Sequence, residues 1–135
     1  MGANVLNDGA SGIRVHMGNT MNLPIEAIEA TIPVRFHAYE LLRESGGRGA
    51  RRGGAGARKV FEALVGGLEA SILGERTNSP AHGVSGGERG ACARFVLIPH
   101  TGSKTVLQAK SGPHRLAQGD KIEMVTAGGG GWGGE

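Results

Sequence analysis

The chain has 135 residues, a size that suits one domain with one core, yet 26 of them are glycine against one Trp, one Tyr and three Phe. Bulky apolar material is therefore scarce and the ordering cost is high, so part of the stability is expected to come from a partner surface. A formal charge of +3 is too small to call for nucleic acid or a membrane surface, no apolar run approaches the ~20 residues of a spanning helix, and a lone Cys92 excludes an internal disulfide while fitting a reducing cytoplasm.

The opening Met1-Gly2-Ala3-Asn4 lacks the basic-then-apolar pattern of a secretory leader. Residues 1–11 read as an extended polar arm with a turn at Asn7-Asp8-Gly9. A short helix is expected near 24–30, with Pro24 in its first turn, Glu26 and Glu29 near its positive end and Pro33 blocking continuation. From 33 to 42 the chain alternates, with Val34, Phe36 and Ala38 on one face and Arg35, His37 and Tyr39 on the other, the pattern of a half-buried strand. Residues 45–57, SGGRGARRGGAGA, read as a loop too rich in glycine to pack. Val60, Phe61, Leu64, Val65, Leu68, Ile72 and Leu73 have helical spacing, but Gly66-Gly67 interrupts them and is itself a hairpin turn. Two antiparallel strands, about 57–65 and 68–75, are therefore expected there. After a loop over 76–91, further strands are expected at 93–98, 104–110 and 120–126, with turns at Thr101-Gly102 and Gln118-Gly119-Asp120. The glycine-rich end, 127–135, reads as a second extended arm. The expected fold is mostly β: a single small domain over 1–135, with short antiparallel strands, long Gly-rich loops and one short helix near 24–30.

Motifs with their own chemistry are sparse. Gly128, Gly130 and Gly133 match G-x-G-x-x-G formally, but no helix follows to seat a pyrophosphate, and in Gly102-Ser103-Lys104-Thr105 the phosphate-loop order is broken. Six basic residues lie between Arg43 and Lys59, including one Arg52-Gly53-Gly54 triplet. Without interleaved aromatics they read as a solvated or partner-pairing loop before an RNA-contacting arm. His16, His37, His82, His100 and His114 are dispersed and none has metal-ligand spacing. The two aspartates, Asp8 and Asp120, fall in turns. No catalytic, cofactor-binding or metal-binding residue is assigned on these grounds.

Residues 12–33, GIRVHMGNTMNLPIEAIEATIP, carry His16, Met17, Asn19, Thr20, Pro24, Glu26, Glu29 and Pro33 in the order H-M-x-N-T-x-x-x-P-x-E-x-x-E-x-x-x-P. Tyr39-Glu40-Leu41, Ser45-Gly46-Gly47-x-Gly49, Arg52-Gly53-Gly54-x-Gly56, Gly83, Gly86-Gly87-Glu88, Gly90, Gly119-Asp120 and Thr126–Gly133 follow in sequence. From Gly12 onward the chain resembles the C-terminal portion of hydantoinase B / oxoprolinase subunits and of the related acetone and acetophenone carboxylases. The resemblance implies ATP-dependent work on carbonyl or amide substrates, with ATP handled by a companion subunit and none bound by this chain. It implies larger hydantoinase A-like and hydantoinase B-like partners. Many relatives have His where this chain has Arg14, Thr at Gly18, Arg at Met21 and Pro at Ala127; these departures favour structure over chemistry. The leading expectation is thus a small, non-catalytic subunit of an acetone- or acetophenone-carboxylase-type complex. The alternatives are a fragment of a hydantoinase/oxoprolinase B-type hydrolase subunit and a basic Gly-rich module for RNA or anions. Candidate partner-facing or site-lining residues are His16, Asn19, Thr20, Arg52 and Trp132.

Overall fold

A computed structural model describes residues 1–14, 18 and 20–134. In chain order it contains α1 (Ile25–Thr31), β1 (Val34–Leu42), a 3-10 turn (Arg43–Ser45), β2 (Gly56–Ala63), β3 (Leu68–Leu73), β4 (Arg94–Ile98), β5 (Thr105–Leu107), β6 (Lys110–Leu116) and β7 (Lys121–Val125). The mostly β expectation holds, with the expected short helix where Pro24 and Pro33 frame it. Five strands form one antiparallel sheet in the order β1-β2-β7-β4-β5, and β3 pairs with β6 in a second, two-stranded sheet.

Both strands expected around Gly66-Gly67 are present, but they do not pair as a hairpin. β2 has its two edges taken by β1 and β7, so β3 has no edge to join and pairs with β6 instead. The turn, with Gly67 at φ +85°, carries the chain from one sheet to the other. The turn at Gln118–Asp120 returns it. Asp120 is buried there and accepts hydrogen bonds from the His100 amide (2.8 Å) and the Ala117 amide (2.9 Å). Thr101-Gly102 does join a paired hairpin, β4–β5. The strand expected over 104–110 ends at Leu107, and β6 follows. Gly112-Pro113 falls at an irregularity in the β3–β6 register, between the pairs Ala70–His114 and Ile72–Ser111.

β1 also departs from simple alternation. Phe36 stands opposite Phe61 while Ala38 stands opposite the adjacent Val60, so His37 is the extra residue of a bulge. Phe36 and Ala38 consequently point to opposite faces. The bulge returns Tyr39, paired with Lys59, to the Phe36 side.

Strand register sorts the large sheet into two faces. One carries Phe61, Ile122 and Leu97 in one row and Met124, Phe95 and Leu107 in another. This face meets Ile72 and Leu116 of the small sheet, together with Ala63 and Ala93, in the side-chain core; Ile122 is fully buried at its centre. The other face is laced with charge. Arg58 pairs with Glu40 (2.8 Å) and Glu123 (2.6 Å), Arg94 with Glu123, and Glu62 with His37 and Lys121.

A second core contains almost no side chains. The stretch expected to be an unpacked loop is packed: Gly46, Gly47, Gly53, Gly54 and Gly56 are buried, as are Gly90, Gly128, Gly130, Gly131 and Gly133. Residues 127–133 are extended, but they run through the middle of this bundle and are no arm. A methyl group on Gly128 would sit 1.8 Å from the Ser45 carbonyl oxygen; on Gly129, 2.0 Å from that of Met1; on Gly130, 1.9 Å from that of His82; on Gly131, 2.0 Å from that of Arg48. Gly128 and Gly131 thus face the same 45–48 stretch, and the two residues between them face two other segments. That three-residue repeat has the period of an extended polyproline-type helix, which makes no internal hydrogen bonds and must bond outward. It does so through Gly128 N to Ala91 O (3.0 Å), Gly129 N to Gly54 O (2.9 Å) and Gly131 N to Glu88 O (2.9 Å). The amides of Gly47, Ala3 and Val84 donate in turn to the carbonyls of Gly129, Gly130 and Gly131. Residues 1–11 are mostly exposed, but they are tied to the bundle by Gly54 N to Met1 O (2.8 Å) and Gly9 N to Arg52 O (2.8 Å). Glycine is scarce currency for a side-chain core, yet here its bare backbone allows segments to pack at distances no other residue permits.

Candidate functional site

Of the residues singled out in the sequence, His16 and Asn19 lie outside the described residues. Thr20 is exposed. The described remainder of the same motif leads into α1 and builds a cleft against the sheet. Glu29 turns its carboxylate to the Phe36 amide (2.6 Å), capping the outer edge of β1, so this motif glutamate has a structural use. Met21, Asn22, Leu23, Ile25 and Ile28 line the cleft from the motif side; Phe36, Tyr39 and Lys59 line it from the sheet, around a volume of about 260 Å³.

Three of these side chains form a closed set. Lys59 Nζ donates to Asn22 Oδ1 (2.9 Å), Asn22 Nδ2 donates to Tyr39 Oη (3.0 Å), and the Lys59 ammonium lies 4.4 Å from the centre of the Tyr39 ring. The ammonium is held by an amide oxygen and a ring face, an arrangement that fixes its position without neutralising it. Sequence reading did not single out Asn22, Tyr39 or Lys59 as a group. The one available signal, Tyr39 and Lys59 on neighbouring strands, needs the β1–β2 register to be seen.

Arg52 and Trp132 lie together on the glycine bundle, where Trp132 exchanges both main-chain hydrogen bonds with Arg51 (2.9 Å each). The Arg52 amide donates to Asp8 Oδ1 (2.8 Å) and its Nη2 to Glu44 Oε2 (2.8 Å), while its buried Nε has no partner among the described residues. Arg52 therefore fastens the segment 1–11 and the turn after β1 to the bundle. The basic stretch 43–59 is partly neutralised in this way, since Arg58 is also paired twice. The hydrogen bonds it donates to Glu123 and Glu40 hold the Arg58 pKa above its ordinary value. Glu62 moves the other way: the His37 hydrogen bond, helped by Lys121, holds its carboxyl below the ordinary range.

A second, larger hollow of about 900 Å³ opens beside β4 and β5, floored by Phe95, Ala93 and Leu107 with half-buried Cys92 at its side. Among the described residues no three His, Cys, Asp or Glu side chains converge as metal ligands would. The amides of Gly128, Gly129 and Gly131, which a phosphate-binding glycine loop would point at its ligand, are spent on main-chain carbonyls.

Two antiparallel sheets joined to a bundle of side-chain-free backbone, with a motif-built cleft at one edge, define the class. The chain belongs to the Hydantoinase B/oxoprolinase family, the match covering residues 1–135. Among its relatives, 5-oxoprolinase 1 of Arabidopsis thaliana is 33% identical over 132 residues, which is 98% of this chain and 10% of that protein. Caprolactamase subunit beta of Pseudomonas jessenii is 32% identical over 143 aligned residues, 98% of this chain and 24% of that subunit. In the crystal structure of the ATP-dependent caprolactamase from that organism, 24% of one chain superposes on 98% of this one with a TM-score of 0.80. The nucleotide-free structure of acetone carboxylase superposes with a TM-score of 0.78 over 98% of this chain and 22% of that one; at 21% identity it shares the fold. The chain thus spans a tenth to a quarter of these relatives. No described helix is long and apolar enough to cross a membrane.

Proposed function

We propose that the chain is a non-catalytic structural piece of a hetero-oligomeric, ATP-dependent enzyme, completed by larger hydantoinase A-like and hydantoinase B-like polypeptides, with ATP consumed on the companion A-like subunit. The observation that carries this reading is the use made of the polar groups. The glycine amides bond to main-chain carbonyls, Glu29 caps a strand edge, Asp120 closes a turn, and Arg52 fastens an N-terminal segment. Each of these groups is committed to holding the fold. The substantial exposure of Leu73 (87%) and Val106 (70%) supports a covering polypeptide.

Opening of a cyclic amide is a better-supported reaction for the whole assembly than carboxylation of a ketone. The relatives above 30% identity include an oxoprolinase and a caprolactamase subunit, whereas the acetone carboxylase likeness is one of fold. The chain is thereby read as equivalent to one region of a hydrolase B-type subunit. Co-expression with a hydantoinase A-like and a hydantoinase B-like subunit tests the proposal. The chain is expected to co-elute with them on size-exclusion chromatography, and alone to turn over neither 5-oxoproline, caprolactam nor acetone with ATP. Turnover by the isolated chain, or a monomer that ignores both subunits, overturns it.

A further inference from the structure

On the large sheet the charged side chains share one face by register, beside Val60, Val96 and Val125, and Lys59 breaks the rule. Glu40, Arg58, Glu62, Lys121, Glu123 and Arg94 fall on the charged face. Lys59 falls on the other, in one row with Met124, Phe95 and Leu107 and two residues from Phe61. A lysine on the apolar side of a sheet is a costly choice unless something there needs its charge. Of the two carboxylates on the adjoining helix, Glu29 is bonded to the Phe36 amide, and Glu26 forms no ion pair among the described residues. The sheet carboxylates are paired on the far face, and among the described residues none forms an ion pair with Lys59.

The donors left over converge. An ammonium has three N–H groups, and one of those on Lys59 goes to Asn22 Oδ1. Tyr39 Oη accepts from Asn22 Nδ2, which leaves its own O–H proton to give. Around these donors the walls are apolar: Met21, Leu23, Ile25, Ile28 and Phe36. Asn22, bonded to both, sets the separation between the lysine and the phenol. Fixed donors beside one uncompensated positive charge suit an anionic pair of oxygens, and the walls suit a short hydrocarbon.

We propose that this cleft binds a small carboxylate carried on a short aliphatic stem, with Lys59 as counter-charge, Tyr39 as second donor and Asn22 as the positioning residue. Such binding does not depend on the subunit role proposed above. The test is a titration of the full 15N-labelled chain followed by amide NMR shifts, using butanoate, the neutral isostere butanamide, and sodium chloride at matched ionic strength. Saturable shifts are expected at Asn22, Tyr39 and Lys59 with butanoate. Butanamide should bind at least about tenfold more weakly, as the loss of one charge-assisted hydrogen-bonded pair implies. Lys59→Met keeps the stem and the apolar contacts, and should abolish the preference for butanoate over butanamide while leaving the remaining spectrum in place. Lys59→Arg should retain it. Shifts that never saturate, that are equal for butanoate and butanamide, or that survive unchanged in Lys59→Met overturn the proposal; if Lys59→Met loses its fold, the wild-type comparison of the two isosteres decides alone.

Discussion

At the scale of single residues, a hydrogen atom in place of a side chain has consequences that depend on what lies beyond it. Adding a methyl at Gly130 directs it into the His82 main chain, whereas at Gly134 it meets nothing within 4 Å. Backbone cannot rotate out of the way as a side-chain tip can, so Gly130→Ala is expected to cost about 3 kcal/mol or more, and Gly134→Ala to be neutral within about 0.5 kcal/mol. Urea unfolding followed by circular dichroism measures both, and equal midpoints for the two variants would contradict the bundle. Asp120 offers a second case. Replacing it by Ala strands the amides of His100 and Ala117 in a half-buried turn, and about 2–4 kcal/mol should be lost; Asp120→Asn retains one acceptor and should lose less. The same unfolding midpoints order the three proteins.

Among secondary-structure elements, sequence punctuation was legible and pairing was not. Pro24 and Pro33 bracket α1, and the glycine turns at 66–67, 101–102 and 118–119 mark where strands stop. Which strands then meet is decided by which sheet edges stay free, a property of the assembled sheet that no local window contains. The β1 bulge is of the same kind: alternation from Val34 predicts Phe36 and Ala38 on one face, and only the partner strand reveals the extra residue. That bulge residue carries a pH signature. His37 holds Glu62 ionised below the ordinary carboxylate range, so the stability it contributes is present above the unfolded-state pKa and is lost as pH falls through the lower, folded-state value. His37→Ala should therefore destabilise the protein at about pH 6, and the difference should shrink as pH falls through the lowered Glu62 value. Urea midpoints taken along that range provide the check, and a gap that persists undiminished in acid would rule out the Glu62 link.

Taken whole, the molecule has two interiors, and sequence reading anticipated one of them. The side-chain core follows from strands rich in Val, Ile, Leu and Phe. The glycine bundle reads in sequence as loop and arm because glycine elsewhere marks flexible chain, and nothing in a local stretch such as Gly128–Gly131 announces that five other segments surround it. The candidate site was hidden for a related reason. Asn22 is 17 residues from Tyr39 and 37 from Lys59, so their meeting requires both the motif's return over the sheet and the β1–β2 register. The bundle gives a measurable expectation. The amides of Gly128, Gly129 and Gly131 lie outside any strand, yet they should exchange with deuterium as slowly as those of β7, because closing and opening the bundle involves every segment at once. Fast exchange there, with slow exchange in β7, would show the bundle to be a separately opening unit.

The packing of Gly128–Gly131 against bare main chain also bears on inheritance. Glycine codons tolerate change only in their third base; any alteration of the first or second installs a side chain or stops translation. A fold that places backbone within 2.0 Å of where a methyl would stand at Gly128, Gly129, Gly130 and Gly131 has made nearly every coding mutation in that run a structural lesion. Lineages that keep the fold should therefore vary at open positions such as Gly134 and stand still along this stretch.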